Sequence, residues 1–319
     1  GTNWTFIGFT AGAGTTTDPD AKRTVHVADI DNDGDQDVVS ASDFSDVLVF
    51  HRNGDAISGD GNGSSWTNLV LTTEANGARD VHVQDVDGDG DQDVLSASQG
   101  DNRIAFYRNG NATSGDGNGT SWTTIDVSIN ASSAQSVFAA DVDGDGDQDV
   151  LSASSDDNTV AWYRNGDATS GEGDGSIWTE IEITAEADGA QSVFAADIDG
   201  DGDQDVLSAS ERDNTIAFYR NGDATSGDGD GSTWTETEIT TEANGAESVF
   251  AADIDGDSDQ DVLSAFGNTI AWYENARIRT DDIVYVDPDA SGADSGTSWE
   301  DAYPNLYDAL EALPTGTAE

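Results

Sequence analysis

The chain has 319 residues, 65 of them acidic and 11 basic, for a formal charge of −54. A field of that sign repels nucleic acid and anionic membrane, so neither is expected as a partner. There is no cysteine to form a disulfide, and no run of about 18 apolar residues that would insert in a membrane. Lys22 is the only lysine. An acid-rich, lysine-poor surface suits a protein kept soluble in high salt, where screening removes self-repulsion, and points to a halophilic or marine source. No leader signature is visible at Gly1, as expected of a processed or excised chain.

In chain order, the first strand signature is Trp4–Thr10 (WTFIGFT). An aspartate loop, Asp-x-Asp-x-Asp-Gly-Asp-Gln-Asp, then begins at Asp29 and recurs at Asp85, Asp141, Asp197 and Asp253, each time 56 residues further on. The fourth unit shows what lies around it. Ser192–Ile198 (SVFAADI) reads as a strand, the loop follows, and Val206–Ser210 (VLSAS) is a second strand. Asn214-Thr215 opens a third, Ile216–Arg220 (IAFYR), rich in aromatic and β-branched residues. A Gly/Asp loop, Asn221–Ser232, leads to a fourth strand at Trp234–Thr240. Four short strands joined by turn-rich loops describe one propeller blade.

The last unit, from Ser248, supplies three strands and stops near Tyr273-Glu274. Trp4–Thr10 matches the missing fourth strand, because Trp4 aligns with Trp66, Trp122, Trp178 and Trp234. The expected fold is therefore all-β: a five-bladed β-propeller of four-stranded blades over residues 1–276, closed by the N-terminal strand. Closure removes sheet edges that would otherwise invite aggregation. A stacked solenoid competes, but does not explain why one unit is split between the ends. The segment DQDVLSAS is unchanged at Asp91, Asp147 and Asp203, and copies this close suit structural repetition.

Within the first loop, carboxylates fall at places one, three, five and nine: Asp29, Asp31, Asp33 and Asp37. The sixth place is Gly34, where a sharp turn needs conformational freedom. The seventh, Asp35, offers its backbone carbonyl. Oxygen ligands from alternate residues of a tight loop are what a hard cation such as calcium prefers. A helical EF-hand would need Glu at place twelve, which here is Ser40, so that reading fails while calcium survives.

The loop between two strands, five times repeated, resembles the FG-GAP/VCBS repeats of integrin-α-like propellers and of large secreted bacterial and archaeal proteins. The resemblance covers residues 1 to about 276. It implies one calcium ion per loop, about five in all, tying together the first two strands of each blade. Carried over by position, the ligands are Asp85, Asp87, Asp89, Asp91 and Asp93 in the second unit and Asp141, Asp143, Asp145, Asp147 and Asp149 in the third. The fourth has Asp197, Asp199, Asp201, Asp203 and Asp205, and the fifth Asp253, Asp255, Asp257, Asp259 and Asp261. Ser258 replaces the turn glycine in the fifth, which is expected to be the weakest site. Family members more often have more than five blades, so the count rests on the closure argument.

Several weaker signals accompany these. A second acidic segment, Gly227–Gly231 with counterparts at Asp60, Asp116 and Glu172, reads as a solvated loop or a further calcium site. Arg52, Arg108, Arg164 and Arg220 recur at the end of the third strand, with Glu274 in the fifth unit. A ring of guanidiniums suits acidic sugars, while pairing with neighbouring aspartates is the ordinary alternative. The repeated tryptophans suit packing between blades better than stacking on sugars. His26 and His82 stand where other units have Phe138, Phe194 and Phe250, as inner-strand packing residues. Sequons at Asn3, Asn62, Asn111, Asn118 and Asn130 are compatible with a secreted, glycosylated chain.

Beyond residue 276 the pattern changes. After a linker at 277–282, Ile283–Asp287 reads as a strand, Ser291–Trp299 as a polar loop and Pro304–Leu313 as a short helix. Residues 283–319 resemble the opening of a secreted right-handed β-helix protein. Together these readings imply a secreted or cell-surface, non-enzymatic module for binding, adhesion or assembly. Its partner is an extracellular protein, a glycan or other copies of itself. The alternative is an accessory or catalytic propeller of a lyase-like, polysaccharide-degrading enzyme. No unit carries a catalytic set that would favour it.

Overall fold

β-Branched and aromatic segments of about seven residues, each closed by a Gly- or Asp-rich turn, are too short for a buried helix and the right length for strands. The computed structural model describes residues 22–54, 61–110, 117–166, 173–222 and 229–276. Strands are the only regular elements among them. The first unit holds β1 (Lys22–Ala28), β2 (Asp37–Ser42), β3 (Val47–Asn53) and β4 (Trp66–Thr72). The second holds β5 (Ala78–Gln84), β6 (Asp93–Ser98), β7 (Arg103–Asn109) and β8 (Trp122–Ser128). The third holds β9 (Ala134–Ala140), β10 (Asp149–Ser154), β11 (Thr159–Asn165) and β12 (Trp178–Thr184). The fourth holds β13 (Ala190–Ala196), β14 (Asp205–Ser210), β15 (Thr215–Asn221) and β16 (Trp234–Thr240). The fifth has β17 (Ala246–Ala252), β18 (Asp261–Phe266) and β19 (Thr269–Tyr273).

Each unit is one antiparallel meander: four sheets of four strands and a last sheet of three. This is the strand arrangement of propeller blades. Trp4–Thr10, the linker at 277–282 and the elements read over 283–319 lie outside the described residues, as do Asp60, Asp116, Glu172, Asn3 and Asn111. Two compact units are distinguished, Gly1–Glu274 and Asn275–Glu319.

The inner strand read as Ser192–Ile198 in fact ends at Ala196. The reason is chemical: the Ile198 N–H donates to the Asp205 carboxylate at 3.0 Å, which takes it away from the strand ladder. The strand thus ends two residues earlier than apolar patterning suggests.

The second strand of each unit is the most enclosed. All six residues of β6, β10 and β14 are buried, and their small Ser and Ala side chains let neighbouring sheets approach. A buried hydroxyl still needs a partner. Ser96 and Ser152 donate to Tyr107 and Tyr163 at 3.3 Å, and Ser208 pairs with Tyr219 at 3.2 Å. In the first unit His51 stands in the tyrosine place, between Ser40 and Asn68.

The core lies between consecutive blades. Leu48 and Phe50 of the first unit pack with Val81, Val83 and Tyr107 of the second, and Trp122 closes over them. Equivalent clusters join the second unit to the third, the third to the fourth and the fourth to the fifth. Trp178 meets Phe106 edge-on at 6.3 Å, so the tryptophans pack between blades as their repetition suggests. Along the inner strands a ladder runs from His26 through His82, Phe138 and Phe194 to Phe250, with ring centroids 4.6–4.8 Å apart.

The two ends of the series are bare. Val25 is 62% exposed where its equivalent Val81 is 4%. Ile270 is 81% exposed where Ile216 is fully buried. Pairing of the fifth sheet back to the first is not seen among the described residues.

Candidate metal centre

Each aspartate loop winds so tightly that its side chains cap its own backbone. The carboxylate at place one accepts the N–H of place six: Gly34 to Asp29 at 3.0 Å, Gly90 to Asp85 at 3.0 Å, Gly146 to Asp141 at 3.1 Å, Gly202 to Asp197 at 3.2 Å. Place five accepts the N–H of place seven at 2.9–3.1 Å, on Asp33, Asp89, Asp145, Asp201 and Asp257. These bonds require the left-handed backbone at place six, where φ is +98° at Gly34 and +106° at Gly202. Place four shares it, at Asn32 (+58°) and Gly88 (+72°).

Each of these carboxylates spends one oxygen on the loop, and in the first four loops the other faces inward. Oδ1 of Asp29, Asp85, Asp141 and Asp197 and Oδ2 of Asp33, Asp89, Asp145 and Asp201 are buried with no hydrogen-bond partner. Buried polar atoms are normally satisfied, so orphaned oxygens repeated in four loops demand a partner. An oxygen-only donor set of this kind fits a hard divalent cation, and calcium accepts such ligands in flexible geometry. When bound, the ion would supply the positive charge that the converging carboxylates lack.

Five clusters of ligand atoms lie mutually within 4.8 Å, one per unit. They comprise Asp29, Asp31 and Asp33 in the first unit, and then Asp85, Asp87 and Asp93; Asp141, Asp143 and Asp149; Asp197, Asp199 and Asp205; Asp253, Asp255 and Asp261. Place five stands outside that closest group in the second to fifth units, and Asp37 stands outside it in the first.

The ninth place has a second task. Asp93 is fully buried, and its two oxygens accept the N–H groups of Val86 at 3.1 Å and Asn109 at 2.8 Å. Asp37, Asp149 and Asp205 repeat the pattern. One side chain thereby fixes the start of the loop to the end of the third strand.

The side chain at place seven does not join the clusters. Asp35, Asp91, Asp147 and Asp203 turn away and accept the N–H of Gly61, Gly117, Gly173 and Gly229. The carboxylate there anchors the turn before the fourth strand, and the backbone carbonyl is the group that the loop pattern offers to an ion.

Crowding shows in the protonation equilibria. Burial, then the charges of Asp37 and Asp33, push Asp31 up to about 7. Asp87 and Asp143 rise to about 6 through burial and their place-five neighbours. Burial is the main cause at the ninth place, with Asp93 at about 8 and Asp149 and Asp205 at about 7.

The recurring arginines face these loops. Arg108 pairs with Asp87 at 2.7 Å, Arg220 with Asp199 at 2.8 Å, and Arg52 lies 3.8 Å from Asp31. Arg164 lies over the Trp162 ring at 5.9 Å. Pairing, rather than a free guanidinium ring, describes the first three.

The fifth loop differs. Ser258 adopts φ of +76° without glycine's freedom, and Asp253, Asp255 and Asp257 are exposed.

A functional residue that composition did not single out is the asparagine ending the third strand: Asn53, Asn109, Asn165 and Asn221. Its side chain ties the loop to the turn before the tryptophan, as with Gly119 N–H to Asn109 at 2.9 Å. The available signal was its recurrence directly after the arginine.

Repeated four-stranded sheets with an acidic, cation-suited loop between the first two strands define a propeller-type metal-loop repeat protein. The family model for the FG-GAP-like repeat matches residues 29–96, 85–152, 141–208 and 197–264, and the chain belongs to that family. No curated protein matches it significantly. Among solved structures, the Vibrio cholerae biofilm matrix protein Bap1 is 16% identical, with a TM-score of 0.46. The alignment covers 84% of this chain and 40% of that one. A Bacillus licheniformis rhamnogalacturonan lyase is 12% identical with a TM-score of 0.44, covering 84% of this chain and 52% of that one. The chain thus spans about half or less of either protein, and likenesses this distant carry no functional argument.

Proposed function

We propose that the chain is a calcium-stabilised, non-enzymatic propeller module of a larger secreted or cell-surface protein. The observation that carries this reading is the set of buried, unpartnered carboxylate oxygens in the first four loops. Extracellular calcium is millimolar, and sites without a dedicated bidentate cage suit that range. We infer a ring of five blades, closed between the fifth sheet and the first. The exposed Ile270 and Trp272 on one end and Val25 and Val27 on the other support this, since the matching positions at every internal joint are buried.

The module acts by binding, adhesion or assembly toward an extracellular protein or glycan, or toward other copies of itself. Near-identical repeats support a structural role, because catalysis needs only one unit to carry the chemistry. Asn62, Asn118 and Asn130 are exposed, as glycosylation would require. No described helix is long and apolar enough to cross a membrane.

The test is a panel of acidic and neutral polysaccharides and extracellular proteins, read for both retention and cleavage in the presence of calcium. Retention without turnover is the expected result. Turnover that survives purification would overturn the non-enzymatic reading.

A further inference from the structure

One buried amide at each joint links consecutive metal loops. Asn109 is fully buried. Its nitrogen donates to the carbonyl of Gln92 at 3.1 Å, in its own loop, and to that of Ile30 at 2.8 Å, in the preceding unit's loop. Asn165 does the same with Gln148 and Val86, and Asn221 with Gln204 and Val142, at 2.8–3.2 Å. The amide orientation is fixed, because the oxygen faces a glycine N–H that can only donate.

The residue reached in the preceding loop is itself held by that loop. The N–H of Ile30 donates to the ninth-place Asp37, and the N–H of Val86 to Asp93. Ile30, Val86 and Val142 are therefore each gripped on one side by a ninth-place aspartate and on the other by the next unit's asparagine. A second tie reinforces the first joint, where Asn32 Nδ2 donates to Asp91 Oδ1 at 2.7 Å.

We propose that these amides couple the metal sites in series. Loading one loop orders the carbonyl that the next unit's asparagine needs, and this asparagine also orders its own loop, so calcium binds cooperatively along the blades. Asn109, Asn165 and Asn221 are the positioning residues for this coupling. The proposal rests on the calcium reading above. Physically it requires an element whose arrangement both sites bias, and the shared amide is that element.

Asn53 makes the matching own-loop bonds, donating to Gln36 O and accepting the Gly63 N–H. The experiment is calorimetric calcium titration of the full chain as wild type and N165A. The wild type is expected to load with a Hill coefficient above one. N165A breaks the joint between the second and third loops. It should lower the coefficient and weaken the mean affinity about tenfold, within the usual range of coupling, without changing the number of ions.

A non-cooperative wild type or an unaltered N165A would overturn the coupling. If N165A does not fold, D145N read by hydrogen exchange replaces it. Coupling requires calcium-induced protection to fall in the second and fourth loops as well as the third, and a loss confined to the third loop refutes it. Independent binding of all ions retires the coupling alone, whereas absence of calcium binding retires the calcium reading with it.

Discussion

The joint between the third and fourth units can be probed with two glycines that share a backbone conformation and differ in surroundings. Gly231 has φ +69° and Gly245 φ +68°. A Cβ at Gly231 would sit 2.1 Å from Cζ3 and 2.4 Å from Cη2 of Trp162, a fully buried ring of the preceding blade. A Cβ at Gly245 meets nothing within 4 Å. Both Gly→Ala changes incur the left-handed strain of about 1–2 kcal/mol. Only G231A adds overpacking, about 1–3 kcal/mol, because Trp162 is enclosed and cannot swing away. The difference corresponds to a further drop of roughly 2–12 °C at about 2–4 °C per kcal/mol. Differential scanning calorimetry in saturating calcium reads it directly. Equal midpoints for G231A and G245A would refute the claim that this turn is wedged against the neighbouring blade.

Three further outcomes follow from the loops. In metal-free protein the carboxylates of Asp31, Asp93, Asp149 and Asp205 titrate near 7–8, well above the ordinary value of 3.8. The folded state then binds more protons than the unfolded one between these limits, so stability rises as pH falls from about 8 toward 4; a chelated sample whose melting midpoint drops over that interval would contradict this. D89N removes a charge whose Oδ2 has no partner; it should leave the chelated midpoint unchanged or higher, while one ion is lost and the calcium-loaded midpoint falls, as melts with and without calcium will record. S258G relieves the left-handed serine of the fifth loop, so the last ion to bind in calorimetric titration should bind more tightly.

Much of the architecture was legible because two periods are superimposed. The 56-residue recurrence separates the units, and within each the alternating apolar segments and punctual turns define strands; β16 matches its expected bounds of Trp234–Thr240. Alternate aspartates likewise revealed the loop, since solvation alone does not require their spacing. What escaped was long-range chemistry. Asn109 meets Ile30 at a separation of 79 residues, and asparagine before glycine reads locally as an ordinary turn. The turning away of Asp35 toward Gly61 was hidden for the same reason, because five aspartates in one loop look alike until the fold supplies different N–H groups to each. Place four escaped because left-handed backbone there is met by Asn32 in one unit and glycine in others, which blurs the pattern.

The central claim is that the loops hold calcium and that the ion stabilises the blades. The most direct measurement is a thermal melt with and without EDTA, followed by calcium add-back and metal counting on the full chain. One site per unit gives five ions. Each contributes about 2.7 kcal/mol at a calcium concentration one hundred times its Kd. A large fall in midpoint on chelation, restored by close to five calcium ions per chain, is the expected result. An unchanged midpoint with no bound metal would leave the aspartate loops as solvated turns and contradict the account.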